Sequence, residues 1–263
     1  MKKITAFVLA LVMLLSLASL TGCEKSSYEV FSDAMEKTNS LDSYSATMNM
    51  DISMEMMGMT VEVPMVYDMK VAGVQSEKPE ILADVTASVL GTEMVMSLYS
   101  DAEYAYISSA DIGNMKTKLG GISGGEYDIM DDVNDIMVVL PEEVFADIVF
   151  VENSDGIKTA SFTISEELFN EYYSDIIASV TEQSAGSGVD VEVSISNILI
   201  TVGINKAGYI ANYDMEFSMK FSMDVMGTVV DVTADTVTGM EFHNPGEAVT
   251  VTPPDGIEAY PEV

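Results

Sequence analysis

The sequence predicts an α+β fold that is mainly β: a long antiparallel meander curled into an open half-barrel, with a few amphipathic helices covering its concave face. Three observations carry this expectation. Long segments alternate apolar and polar residues with period two, the pattern of strands with one buried face. The apolar parity changes at three dipeptides ending in glycine, Met57-Gly58, Leu90-Gly91 and Met226-Gly227, as two-residue hairpin loops require. Helical spacing is confined to short stretches within 26–39, 133–148 and 165–180.

The elements follow in order. Met1-Lys2-Lys3 is basic, and Ile4 to Leu20 carries no charge, which is the layout of a secretory signal peptide. The run is close to the minimum for spanning a bilayer core and lacks basic residues on its far side. Leu20-Thr21-Gly22-Cys23 resembles the lipobox of bacterial lipoproteins, position for position. That resemblance implies cleavage after Gly22 and acylation of Cys23 by palmitate-type chains. Residues 1–22 are then a signal peptide, and 23–263 form a single domain on the extracytoplasmic face of the cell membrane. Two or three acyl chains hold stably, since each buried methylene contributes about 0.8 kcal/mol.

After a short tether, Ser26 and Glu29 have capping-box spacing. Tyr28, Phe31, Ala34, Met35 and Thr38 then line one side of a helix that Asn39 ends. From Tyr44 the period becomes two. Met48, Met50, Ile52, Met54 and Met56 lead into Met57-Gly58, and Met59, Val61, Val63, Met65, Tyr67, Met69 and Val71 follow. A two-residue loop pairs 56 with 59, 54 with 61 and 52 with 63, which puts every apolar residue on one face. Ile81 to Val89 and Met94 to Leu98 repeat the device around Leu90-Gly91, and Phe217 to Val225 and Val230 to Val232 repeat it around Met226-Gly227. Residues 42–63 slid by 169 positions onto 211–232 match at eight of 22 positions, which suggests an internal repeat or two hairpins under one constraint.

The middle of the chain reads differently. Asp101 to Tyr106 is a turn into a short strand, and Gly113 to Asp128 is expected as a glycine-rich loop. Val133, Ile136, Met137 and Leu140 have helical spacing, and Pro141 is expected in the first turn of a short helix through Phe145 and Ile148. Asn153 to Gly156 joins two short strands. Ser165 caps a helix with Leu168, Tyr172, Ile176 and Val180 in one stripe, and 184–188 is a linker. Strands over 189–203, 209–225 and 228–242 follow, and four prolines make the tail extended.

Composition bounds the function. The formal net charge is −32 at pH 7, every basic residue is a lysine, and two of the 11 lysines fall in the leader. So acidic a surface argues against nucleic acid and against charge-driven docking on anionic lipid. Cys23 is the sole cysteine, so the domain folds without disulfides. The acylated cysteine, first helix, long meander, helical insertion and closing long strands together resemble the lipoprotein-carrier (LolA-like) half-barrel superfamily, and within it acidic lipoproteins of Gram-positive bacteria. That resemblance implies an open half-barrel with a helical lid over an apolar cavity that takes acyl chains or other lipids. Carriers of the superfamily shuttle as soluble proteins, whereas an acylated chain stays at the membrane.

No enzyme chemistry is expected. Gly121-Ile122-Ser123-Gly124-Gly125 fits the G-x-S-x-G string, but the flanking Met115 to Leu119 is a poor central strand and the surroundings read antiparallel. His243 is the single histidine and sits by Asn244-Pro245-Gly246, read as a surface turn, so no zinc or haem site is available. Asp128, Asp131, Asp132, Asn134 and Asp135 lack the spacing of a calcium loop. The 21 methionines are the most unusual feature. At strand period they suit core packing or an adaptable apolar wall better than Cu(I) ligation. The residues expected to line a cavity for a lipid or other apolar small molecule are Met48, Met50, Ile52, Met54, Val61, Val63, Met65, Met219, Phe221 and Met223. The competing expectation is a structural or protein-interaction module of the envelope with a filled core. No cofactor or metal is expected in either case.

Overall fold

The structure, a computed structural model, describes residues 25–119, 141–174 and 190–263, apart from positions 57, 77, 146–147, 173 and 226–227. Cys23, the Gly121–Gly125 string, the acidic residues 128–135, the helical spacing at 133–140, the far half of the 165–180 stripe and the 184–188 linker lie outside the described residues.

Helix α1 (Ser27–Asn39) starts at a complete capping box: Ser26 Oγ accepts from the Glu29 amide and Glu29 returns the bond to the Ser26 amide. Strands β1 (Ser43–Met56) and β2 (Met59–Ala72) follow, then β3 (Glu80–Val89), β4 (Thr92–Ser100), β5 (Tyr104–Ser109) and β6 (Gly113–Lys118). After a 3₁₀ turn (Glu142–Val144) come β7 (Val151–Glu152), β8 (Lys158–Thr163) and α2 (Glu166–Tyr172). The long β9 (Asp190–Ile204), β10 (Ile210–Val225) and β11 (Thr228–His243) close the fold.

The eleven described strands form one antiparallel sheet in the order β6-β5-β4-β3-β2-β1-β11-β10-β9-β8-β7. It does not close into a barrel. Sheet neighbours are chain neighbours except at one join, where β1 pairs with β11, and the consecutive strands β6 and β7 are the two edges. The predicted hairpin register holds: Met56 opposes Met59, Met54 opposes Val61 and Ile52 opposes Val63. At the second hairpin Leu90 (φ 52°) and Gly91 (φ 79°) both take left-handed backbone, the requirement of a primed turn. The two hairpins related by 169 positions have equivalent registers, with Met54 opposite Val61 and Met223 opposite Val230. A shared two-residue loop imposes that register on any pair of hairpins.

Cross-strand partners share a face, so the registers place whole rows on one side. One row runs Ala87, Met65, Met50, Thr238, Met215, Ile200, Phe162. Helix α1 lies on this inner face at the end where β1 begins. Phe31, Ala34 and Met35 are sealed against Ala46, Val71, Ile200, Ile210 and Phe242. Phe31 meets the rings of Phe145 and Phe162 edge-on at 5.4 and 5.5 Å. Thr38 bolts the helix down: its buried hydroxyl donates to the Ala34 carbonyl at 2.7 Å and accepts from the Ile210 amide at 2.9 Å. In β9 the inner face passes from Ile195 to Ile198 in three residues, with Asn197 at φ 55° marking a bulge. There the Asn197 amide donates to Glu166 and Asn170 donates to the Ile195 carbonyl, which seats α2 beside the bulge.

Two expectations are corrected. Gly113 to Lys118 is not loop but strand β6, paired with β5 and, on its other side, with the C-terminal tail: the Lys116 amide donates to Pro261 and its carbonyl accepts from Val263. Partners on both sides hold a segment whose own sequence has little strand character. The helix expected from Pro141 through Ile148 is a single 3₁₀ turn capped by Pro141. Phe145 is already extended and bridges to Ile164, so the chain leaves the turn into sheet pairing. The tail, expected to be extended throughout, is extended over 248–254, then makes a 3₁₀ turn at Ile257–Ala259, and it crosses the outer face. Val251, Ile257 and Tyr260 there cover Tyr99 and Tyr106 in a second small core. His243 is the last residue of β11, its Nε2 2.9 Å from the Thr47 hydroxyl.

Candidate functional site

The residues predicted to line a cavity fall together on the inner face, beyond the part that α1 covers. β1 contributes Met48, Met50, Ile52 and Met54, and β2 contributes Met65, Val63 and Val61 opposite the last three. β10 contributes Met219 and Phe221, and Met223 lies two residues further along the strand. Between these two groups runs β11. Ala234 opposes both Met54 and Met219, and Thr236 opposes both Ile52 and Phe217. The floor is therefore continuous across four strands, because the first and last long strands pair.

Burial separates this floor from the core. Met48, Met50, Ile52, Met54, Val61, Val63, Met65, Met219 and Phe221 are all half-buried, and none belongs to the packed cluster under α1. At the rim Met59 is 62% exposed. Cavities of about 410 and 480 Å³ open beside α1, and neither is lined by these residues. Among the described residues the site is an open apolar face.

Its chemistry follows from its composition. None of the ten side chains ionises. Six are thioethers, which adapt their shape and attract by dispersion. The polar atoms of the floor come from β11, whose Thr236 and Thr238 were not among the predicted residues. Thr236 is 4% exposed, and its Oγ1 is sealed from solvent with no hydrogen-bond partner among the described residues. An unsatisfied buried hydroxyl costs roughly 1–3 kcal/mol. The alternation Val232, Ala234, Thr236, Thr238, Met240 carries the signal for this strand, but small and hydroxyl residues weaken it.

Titration shifts lie elsewhere. Burial under α1 pushes the Tyr44 phenol up to about 12. Burial, and then its bond to Glu80, raise the Tyr99 phenol in the outer cluster, and burial beside Asp101 raises Tyr106. Among the described residues no group of three His, Cys, Asp or Glu side chains stands close enough to hold a metal ion, and no helix is long and apolar enough to cross a membrane.

The model of a family described as "Family of unknown function (DUF6612)" matches residues 26–258. No curated protein matches the chain. Among solved structures, the chain is similar to LprF from Mycobacterium bovis at 12% identity, covering 88% of this chain and 97% of that one, with a TM-score of 0.43. It is also similar to a putative AttH from Nitrosomonas europaea at 10% identity, covering 78% and 52%, with a TM-score of 0.24. A DUF1329 family protein from Desulfovibrio piger aligns at 12% identity over 86% and 93%, with a TM-score of 0.22.

Proposed function

The chain belongs to the DUF6612 family of unknown function, and from that premise we propose that it is a membrane-anchored extracytoplasmic lipoprotein that takes a lipid or other apolar molecule against the methionine-rich half of its inner sheet face. The observation that carries this reading is the contrast along one face. Under α1 the rows are sealed, with Phe31, Met35 and Ile200 at most 1% exposed. Past α1 the same face continues as half-buried Met, Ile, Val and Phe on β2, β1 and β10, with Ala234 and Thr236 of β11 buried between them. Apolar surface left to water costs about 25 cal/mol per Å², and large contiguous patches of it mark sites of association. Sequence supports the anchor: the uncharged run 4–20 ends in Leu20-Thr21-Gly22-Cys23.

Two measurements test the two halves of the proposal. A Cys23→Ser chain is expected in the soluble fraction or unprocessed; a processed chain still in the membrane fraction would remove the anchor. A fluorescent fatty-acid probe is expected to bind the wild type saturably, and at least tenfold more weakly after Met54→Glu, which sets a charge in the middle of the floor. A well-folded wild type with no affinity for the probe would favour the interaction-module reading instead.

A further inference from the structure

The lysines of this acidic chain are not evenly spread. Beyond the leader nine remain, and four of them, Lys25, Lys37, Lys158 and Lys206, gather where the tether, α1 and the turns β7–β8 and β9–β10 meet. Lys25, Lys158 and Lys206 line the cavity of about 410 Å³ there, against two acids, Asp33 and Glu152. Lys25 and Asp33 pair with each other. Neither Lys158 nor Lys206 has an acidic partner within 4.0 Å among the described residues. Lys37 stands at the rim, bonded to the Ala207 carbonyl and 4.2 Å from the centroid of the Tyr209 ring.

Lys206 lies close over the β7–β8 turn. Its side chain lies over Gly156, so closely that a Cβ there would stand 2.5 Å from Cε. Gly156 also has φ 70°, in the left-handed region that favours glycine. The β7–β8 turn thus leaves room for an ammonium to reach the cavity, and Lys158 enters from the first residue of β8. Two lysines without an acidic partner among the described residues line one cavity, in a chain of net charge −32, and make a local site for an anion.

We propose that this cavity binds the phosphate of an anionic phospholipid headgroup in the leaflet that holds the anchor. Lys25 lies two residues from Cys23, and two residues of chain span at most about 7 Å. With Cys23 acylated the cavity sits at headgroup depth. The lipid source therefore rests on the anchoring reading, whereas the anion site itself does not. Docking at this pole is compatible with a repelling acidic surface elsewhere, and it orients the open apolar face relative to the membrane.

The test uses the full protein extracted in nonionic detergent, its lysines dimethylated with isotope-labelled formaldehyde so that each reports separately by NMR. Inorganic phosphate and dihexanoyl phosphatidylglycerol are each expected to shift the Lys158 and Lys206 signals saturably and leave Lys116 in place. Dihexanoyl phosphatidylcholine is expected to act at least tenfold more weakly. In Lys158→Gln the remaining Lys206 signal should report about tenfold weaker binding of both anions, the loss of one charge-assisted contact. Response to phosphate without response to phosphatidylglycerol would overturn the headgroup assignment, and shifts no larger than those of Lys116 would overturn the site. Because the readout is made in detergent, it stands or falls independently of the Cys23→Ser fractionation.

Discussion

Replacing Thr236 by Val removes a hydroxyl from the centre of the inner face while keeping the shape of the side chain. Thr236 is buried in register between Ile52 on β1 and Phe217 on β10, and among the described residues its Oγ1 has neither solvent nor partner. The folded state thus gives up the hydration of that hydroxyl without replacing it, at roughly 1–3 kcal/mol. Valine has no such group and fits a half-buried sheet at least as well. Thr236→Val is therefore expected to stabilise the protein by about 1–2 kcal/mol. For a domain of this size that is a rise of roughly 2–8 °C in Tm, since each kcal/mol moves it about 2–4 °C. The assay is urea unfolding of delipidated protein followed by circular dichroism, with wild-type and variant slopes compared so that a change in midpoint reads as stability. A loss of 1 kcal/mol or more at unchanged slope would refute the reasoning, because it would mean that the hydroxyl is satisfied in the folded state.

Other expectations come from equally local features. Leu90 is 80% exposed with φ 52°, so Leu90→Asn should relieve left-handed strain at no cost in burial and stabilise by about 1 kcal/mol in the same urea assay. Phe31→Ala should cost roughly 3–5 kcal/mol, seen as a lowered melting temperature, since the ring is 1% exposed and touches two other aromatic rings. Alkali should unfold the protein through its buried phenols. With Tyr44 raised from near 10 to about 12, its contribution is complete below pH 10 and is lost as pH rises through 12, about 3 kcal/mol in all. Tyr44→Phe should flatten that part of the stability–pH curve, read by urea midpoints between pH 9 and 12.

Much of the fold was legible because strands with one buried face must keep phase. The parity change at Met57-Gly58 specifies the loop length and with it the whole β1–β2 register, and Ser26 with Glu29 specifies the start of α1. What was not legible lacked a local cause. Nothing near Met50 or Thr238 announces that β1 pairs with β11, yet that contact joins the Met54 and Met219 groups into one floor. The β9 bulge did leave a trace, since Ile195 and Ile198 are three apart around Asn197 in an otherwise period-two run. β6, polar and bearing Lys116 and Lys118, is strand because β5 and the tail flank it. Pro141 promised a helix, but Ile164 captures the chain at Phe145. The lysine cluster is invisible in sequence because residues 25, 158 and 206 meet only in three dimensions.

Native mass spectrometry of the full protein shows whether the inner face carries a ligand. An apolar adduct is expected on the wild type and is absent from a Val61→Asp variant with an intact cooperative melt. A wild type that flies free of adduct, and acquires none from added lipid, would contradict it and leave the Met48 to Met223 floor as an exposed face without a ligand.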